Sequence, residues 1–483
     1  MGIMGRKIEI PFTGPAYESE SPFASSQRCI NFYLRPYPEM GENKMALFGT
    51  PGLEEWVDLG EEVAVKDMVV YGSFLYVVAG NKLYAIDQTG NVTNSVSLGA
   101  LRRMIQASTN GVDVTVVNGT NGYVYDITTG VASEISDADF PGGDNIIQVD
   151  GYYLVNKPGT GQIYRSDIND GSSWDGLSFS SAGGNPDPLV ALVADHRDAY
   201  LINQLSTEVW YNTGLPTFNF ARAEGAYIEM GGVSSFARTR INNGVYWIGQ
   251  DENGQGQVFQ SVGRVPRAIS PPHITRIISS YGDLSSSFMF SYQQDGHAFV
   301  VCQFPDHNAT WVYDSVVGQW HSRSSKLGVT QTDGRWRANC HASFGGYNLV
   351  GDYSNGKIYR LRTDVYDEDG VPIVSRRTAP VIRKNQSPIT VDKLHVITEP
   401  GVGLASGSDE DVDPQAMIRW SIDAGRNWSP EVQAPLGKIG ETNNECSLTQ
   451  LGQGRNWVFD FSISAAVKRV VLGAVAEVEL DED

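Results

Sequence analysis

Two runs of carboxylates are the places where this chain comes nearest to a metal-ligating pattern. Asp409, Glu410, Asp411 and Asp413 lie almost side by side, and Asp364, Asp367, Glu368 and Asp369 precede Gly370. Calcium is held by oxygens at set positions of a loop. Neither run has the EF-hand spacing, so both read as solvated acidic loops and no metal is expected. The seven histidines His196, His273, His297, His307, His321, His341 and His395 are dispersed, with no HExxH pair. A GxSxG nucleophile elbow, a phosphate-cradling loop and a dinucleotide fingerprint are all missing. The inventory predicts no catalysis and no cofactor.

A different pattern, S-x-D-x-G-x-x-W, occurs in full as Ser421, Asp423, Gly425 and Trp428. It recurs in degenerate form as Asp167, Asn169, Gly171 and Trp174. The chemistry here is local: hydroxyl and carboxylate accept turn N–H groups, glycine takes positive φ, and tryptophan packs across the hairpin. Similar Asp boxes decorate sialidase propellers away from the reacting centre, so they speak for a fold and not for an activity. A sialidase-like reaction needs several convergent arginines and a Tyr/Glu pair. Arg222 with Glu224, and Arg238 with Arg240, are candidates only in the sense that nothing forbids them, and a surface or interface role is expected of them.

The elements that carry these turns repeat. Between about Met68 and Arg362 an aromatic-rich strand, a Gly/Asn/Pro turn and a second strand with Tyr or Trp keep returning. Phe74–Val78 is followed by Leu83–Asp87, Val114–Val117 by Tyr123–Asp126, and Tyr152–Val155 by Gln162–Tyr164. Ala199–Ile202 leads to Glu208–Tyr211, Val245–Ile248 to Gln257–Phe259, His297–Val301 to Thr310–Asp314, and Tyr347–Val350 to Lys357–Tyr359. Asn-Gly and similar turns tolerate the positive φ at which strands reverse. The spacing of roughly 40–50 residues is the period of a four-stranded propeller blade. A lone blade cannot bury both faces, so blades must stack around an axis. The repeat predicts an all-β chain with a β-propeller of six or seven blades, against the alternative of two stacked β-sandwiches.

The flanks differ. Residues 1–60 are proline-rich and read as an N-terminal arm or platform, 61–365 as the propeller, and 366–483 as a C-terminal β-sandwich-like domain. In the last part Leu394, Val396 and Thr398 alternate, as do Trp457, Phe459, Phe461 and Ile463, the pattern of half-buried strands. The end from Glu477 to Asp483 is acidic and is expected to fray.

With 36 Lys and Arg against 56 Asp and Glu, the net charge is -20. That argues against a cationic nucleic-acid-binding surface. It suits either plain solubility or a wall along which DNA slides without sticking. Cys29, Cys302, Cys340 and Cys446 show no metal or disulfide spacing and read as buried apolar residues in a reducing cytoplasm. The N-terminus lacks the apolar stretch of a secretory signal, and no run is long enough to span a bilayer.

Several phrases, in order, carry a resemblance. They are Ser26-Gln27-Arg28-Cys29-Ile30-Asn31-Phe32-Tyr33, Gly49-Thr50-Pro51-Gly52-Leu53, Asp150-Gly151-Tyr152 and Thr207 to Gly214. Gly296-His297, Phe304-Pro305, Thr310 to Asp314 and Gln319-Trp320-His321 complete the series. Together they resemble the packaged-DNA stabilisation (tail hub, or nozzle) family of short-tailed bacteriophages. The resemblance implies a structural virion protein made in the host cytoplasm: a ring homo-oligomer, expected to be a hexamer, below the portal and its adaptor ring. Such a ring extends the DNA channel, retains the packaged genome sterically, and docks tail fibres or spikes and a needle or plug. DNA passes through it without specific binding, and no membrane insertion is implied. The competing readings are a sialidase-like or a carbohydrate-binding propeller of a phage tail. An axial pocket lined by arginines and carboxylates would distinguish the first of these.

Overall fold

The computed structural model describes residues 6–21, 25–37, 45–182, 187–215, 218–250, 254, 256–327, 332–385 and 387–480. Strands are the dominant regular element of these residues, with short helices at Pro272–Ser280 and Asp409–Val412. Two compact units form: Glu55–Asn308 with Arg337–Leu361, and Met1–Glu54 with Ala309–Trp336 and Arg362–Asp483.

The first unit is a β-propeller. Antiparallel four-stranded sheets follow one another in chain order, opening with Val65–Tyr71, Gln106–Thr109, Ile146–Val149, Leu189–Asp195 and Arg238–Ile241. Two more blades open with Phe288–Gln294 and Ala338–Phe344. Each opening strand contacts the next, and the seventh contacts the first, so among the described residues the ring closes with seven blades. Within a blade the two middle strands form an antiparallel hairpin. Phe74–Ala79 pairs with Lys82–Asp87, and Asp113–Asn118 with Asn121–Asp126. Tyr152–Asn156 pairs with Gln162–Asp167, Asp198–Asn203 with Thr207–Asn212, Gly244–Gln250 with Gly256–Val262, and Tyr347–Asp352 with Lys357–Arg362.

Burial explains why the blades associate. Tyr76, Val78 and Leu83 of the first blade share a core with Val114, Val116 and Tyr123 of the second. Val193, Tyr200 and Val209 of the fourth meet Val245, Trp247 and Phe259 of the fifth. A strand pair alone would leave these faces wet, at a cost of about 25 cal/mol per Å² of apolar surface. The seventh blade is completed from outside the repeat. The strand Gly52–Asp58 lies next to Lys357–Arg362 in the sheet. Lys357 Nζ bonds Glu55 Oε2 at 2.6 Å, the Leu59 amide donates to Gly356 O, and Trp56 packs edge-on against Phe344. A strand that precedes the first blade thereby joins the last one.

The second unit is a β-sandwich. One sheet runs Phe32–Pro36, Met45–Gly49, Val470–Leu480, Ile389–Thr398, Cys446–Gly454, with Arg6–Ile10 also paired to Val470–Leu480. The other includes Ser375–Thr378, Val458–Ile463, Gln415–Ser421 and Val432–Pro435. Their inner faces share a core of Ile10, Phe12, Leu47, Leu394, Val396, Trp457, Phe459 and Phe461, among others. Two expectations are corrected here. The strand Val458–Ile463 is buried on both faces, because Asp460 and Ser462 on its other side are covered as well. Asp460 lies there against Arg419 at 2.8 Å and Arg376 at 3.6 Å. The acidic end does not fray at Glu477, since that residue pairs in register with Lys7 and the strand continues to Leu480; Asp481 to Asp483 lie outside the described residues.

Buried arginines tie the N-terminal segment into this sandwich. Arg377 is fully buried and donates from Nε to Phe12 O and from a terminal nitrogen to Gly14 O, both at 2.8 Å. Arg469 likewise donates to Thr50 O at 3.4 Å, and also to Tyr366 O and Ile373 O. Burial pushes both guanidinium pKa values down, Arg469 to about 10.

Candidate functional site

The blades of a propeller surround a central channel, and its mouth is where the opening strands converge. A cavity of about 130 Å³ sits there, lined by residues of the first, second, fifth, sixth and seventh blades. Its polar groups are laced to one another across the ring. Arg238 of the fifth blade donates from Nε to Leu192 O of the fourth at 3.1 Å, and from a terminal nitrogen to Gln106 Oε1 of the second. The same Gln106 oxygen accepts the Ile146 amide of the third. Asn145 links Ser235 O and the Leu192 amide, each at 2.9 Å. Asp67 of the first blade accepts the amides of Met68 and, across the blade boundary, Ala107 at 2.8 Å.

Burial sets the electrostatics. It pushes the Asp67 carboxyl up to about 6, against the pull of the Ala107 and Met68 amides and of Arg238. It also brings Arg238 down to about 10 and His341 down to about 4. A raised carboxyl in a cleft is the mark of a general acid or base. Here, however, both of its oxygens are engaged by backbone amides, and the lining holds no tyrosine to complete a Tyr/Glu pair. The arrangement acts as a clasp holding the opening strands in register.

The other arginines named from the sequence disperse. Arg240 pairs with Asp195 at 2.8 Å, and Arg222 reaches the buried Glu208 at 3.1 Å and not Glu224. Of the acidic runs, Asp411 folds back in a capping box with Ser408 at the start of the short helix, and Asp364 pairs with Arg362. Among the described residues no three metal-ligating side chains gather.

The full Asp box folds as a tight turn in the sandwich. Ser421 Oγ accepts the amides of Asp423 and Gly425, and Asp423 accepts those of Arg426 and Asn427. Burial opposes ionisation of Asp423, but these bonds and those from the Ser421 and Asn427 side chains hold its pKa down to about 2. Gly425 has φ 90°, and Trp428 stacks under the Arg419 guanidinium at 4.7 Å.

The degenerate box, in the third blade, has a different geometry. Asn169 takes the positive φ, 56°, while Gly171 approaches its neighbour so closely that a Cβ would meet Thr115 Oγ1 at 2.1 Å. The Gly171 amide donates to Asp113 Oδ2 of the second blade, whose other oxygen accepts the Tyr153 hydroxyl at 2.7 Å. The Asp167 carboxylate accepts from Ser173 Oγ at 2.7 Å and has Arg165 at 3.9 Å, and Trp174 Nε1 closes onto Gly171 O. This turn therefore bonds across two blades. The sequence reading missed Asp67, Gln106, Asn145 and Asp113, because single polar residues at strand starts carry no local signature.

Residues 8–366 match the family model described as Bacteriophage P22 Gp10, beta-propeller, and residues 375–479 match the one described as Bacteriophage P22 Gp10, beta-sandwich. No curated protein matches the chain. Similar solved structures include the N-terminal domain of Nup159, at 9% identity and TM-score 0.43, covering 70% of this chain and 99% of that one. Another is PorZ, a surface component of the type-IX secretion system of Porphyromonas gingivalis, at 9% identity and TM-score 0.37, covering 79% of this chain and 46% of that one.

Proposed function

The chain belongs to the P22 Gp10 family of phage structural proteins, and on that premise we propose that it is the repeating subunit of a tail hub ring, expected to be a hexamer. The ring extends the DNA channel below the portal adaptor, retains packaged DNA sterically, and docks fibres or spikes and a needle or plug. No reaction is part of this role. The propeller, residues 61–365, serves in it as the scaffold, with 366–483 and the part of 1–60 outside the seventh blade as the sources of contacts to neighbouring subunits.

The observation that supports a ring of several copies is the axis of the single chain. Its cavity of about 130 Å³ is laced across by Arg238 and Gln106. A double helix, whose major groove alone is about 12 Å wide, has no path there. DNA must therefore run outside each propeller, along a shared axis between copies. The net charge of -20 suits such a wall, which repels phosphate and lets the duplex slide.

The test is reconstitution. The purified chain mixed with its adaptor ring is expected to give closed rings with an open centre by electron microscopy. Particles assembled without it are expected to lose their genome. Persistent monomers in the presence of adaptor would overturn the reading.

A further inference from the structure

We infer that the mouth of the propeller axis is a binding site for one small oxyanion of the phosphate class. The proposal is independent of the hub reading and concerns a place through which DNA cannot pass.

Three cations line the cavity: Lys66, Arg103 and Arg238. One carboxylate, Asp67, lies among them. A second, Asp306, stands 3.9 Å from Arg103 with its side chain 55% exposed, which makes it a weak, screened partner. The neighbouring His341 imidazole is neutral at pH 7, since burial takes its pKa down to about 4. Positive charge is thus concentrated at one point of a chain whose net charge is -20. Like charges brought together around a partly dry cavity repel, and one buried carboxylate relieves only part of that repulsion.

The donors are not used up by the fold. Arg238 spends one N–H on Leu192 O and another on Gln106, out of the five that a guanidinium carries. Lys66 gives one of its three donors to Leu101 O at 3.2 Å. Among the described residues Arg103 makes only the long contact to Asp306, and its side chain is 65% exposed, which leaves the site open to solvent on that side. A cavity of about 130 Å³ holds a few waters. That is room for a tetrahedral oxyanion and not for a nucleotide. Arg238, fixed by its bonds to two blades, supplies the preorganised donor; Arg103 and Lys66 close around the ligand from the rim.

The test uses the full chain and inorganic phosphate at constant ionic strength, with chloride as the compensating anion. Equilibrium dialysis with labelled phosphate is expected to show saturable binding of one ion per chain. Thermal unfolding is expected to shift upward with phosphate and not with chloride. Arg103→Ala, which removes an exposed side chain and leaves the clasp intact, is expected to weaken binding at least tenfold. Lys66→Gln should do so independently while keeping a donor for Leu101 O. Non-saturable uptake, or equal affinity in both variants and the parent, overturns the proposal. Because both variants keep the Arg238 bonds, their unfolding midpoints without phosphate are expected to stay within a few degrees of the parent's.

Discussion

Arg238 and Gln106 are 132 positions apart in the chain, yet the guanidinium of one donates to the amide oxygen of the other beside the propeller axis. That single contact links the fifth blade to the second, and Gln106 passes it on to the Ile146 amide of the third. The ring is therefore held from its centre as well as by packing between neighbouring blades.

Replacing Arg238 with Met removes two charge-assisted bonds and takes one of its two donors from Gln106 Oε1, which keeps the Ile146 amide. A loss of about 3 kcal/mol is expected, since hydrogen bonds to charged groups contribute roughly 1.5–3 kcal/mol each. Urea unfolding monitored by tryptophan fluorescence measures it. An unchanged midpoint would show that the central contacts are dispensable.

The axis carries two titrations of opposite sign. Asp67 has its folded pKa raised from 3.8 to about 6, so the folded state holds the proton more tightly. Its contribution is present in full below about pH 4 and is lost as pH rises through 6. His341 has its folded pKa lowered from 6.5 to about 4, so its contribution is present above pH 6.5 and is lost as pH falls to 4. Between pH 4 and 6 the two partly cancel. Stability profiles of Asp67→Asn and His341→Gln, each taken as a difference from the parent, are expected to slope in opposite directions across that window. Parallel slopes would contradict the assignment.

Asp423 is the hub of the sandwich Asp box, accepting two backbone amides and the Asn427 side chain. Asp423→Ala is expected to cost about 1–2 kcal/mol, discounted for the partial exposure of the turn. Because the folded pKa is depressed to about 2, the parent's advantage is present above pH 3.8 and fades as pH falls through 2. Chemical unfolding at pH 7 and at pH 2.5 reads both effects. Equal losses at the two pH values would place the effect elsewhere.

Arg377 holds the N-terminal segment through the carbonyls of Phe12 and Gly14. Arg377→Met keeps the volume and removes the donors, so the segment from Arg6 to Arg28 is expected to become cleavable. Limited proteolysis followed by mass spectrometry checks this. Protection equal to the parent's would mean that Ile10 and Phe12, buried in the core, hold the segment alone.

Gly171→Ala places a methyl group on Thr115 Oγ1. Because the site joins two blades, the expected cost exceeds the roughly 0.5–1 kcal/mol by which glycine is ordinarily outdone by alanine in a strand, and has the opposite sign. Thermal unfolding of this variant beside Gly159→Ala, at a turn with open space, separates crowding from backbone strain.

The hairpins were legible in the residues because each rests on local physics. Phe74–Ala79 and Lys82–Asp87 are apolar runs that meet across a turn whose Gly80 has φ 55°, and the reversal is a local event. The same holds for the turn at Ser421 to Trp428, whose bonds lie within a few positions. Recurrence at blade length then implies stacking, since a solitary sheet cannot bury two apolar faces. What tertiary structure alone decided are the long-range pairings: Glu55 beside Lys357, Arg6–Ile10 beside Val470–Leu480, Arg377 on Phe12, and Arg238 on Gln106. Each depends on which distant backbone or side-chain group arrives at a given place, and a strand edge or a carbonyl looks the same in sequence whatever arrives to meet it. A polar residue such as Asp67 or Asn145 carries no sign of burial until the ring has closed around it.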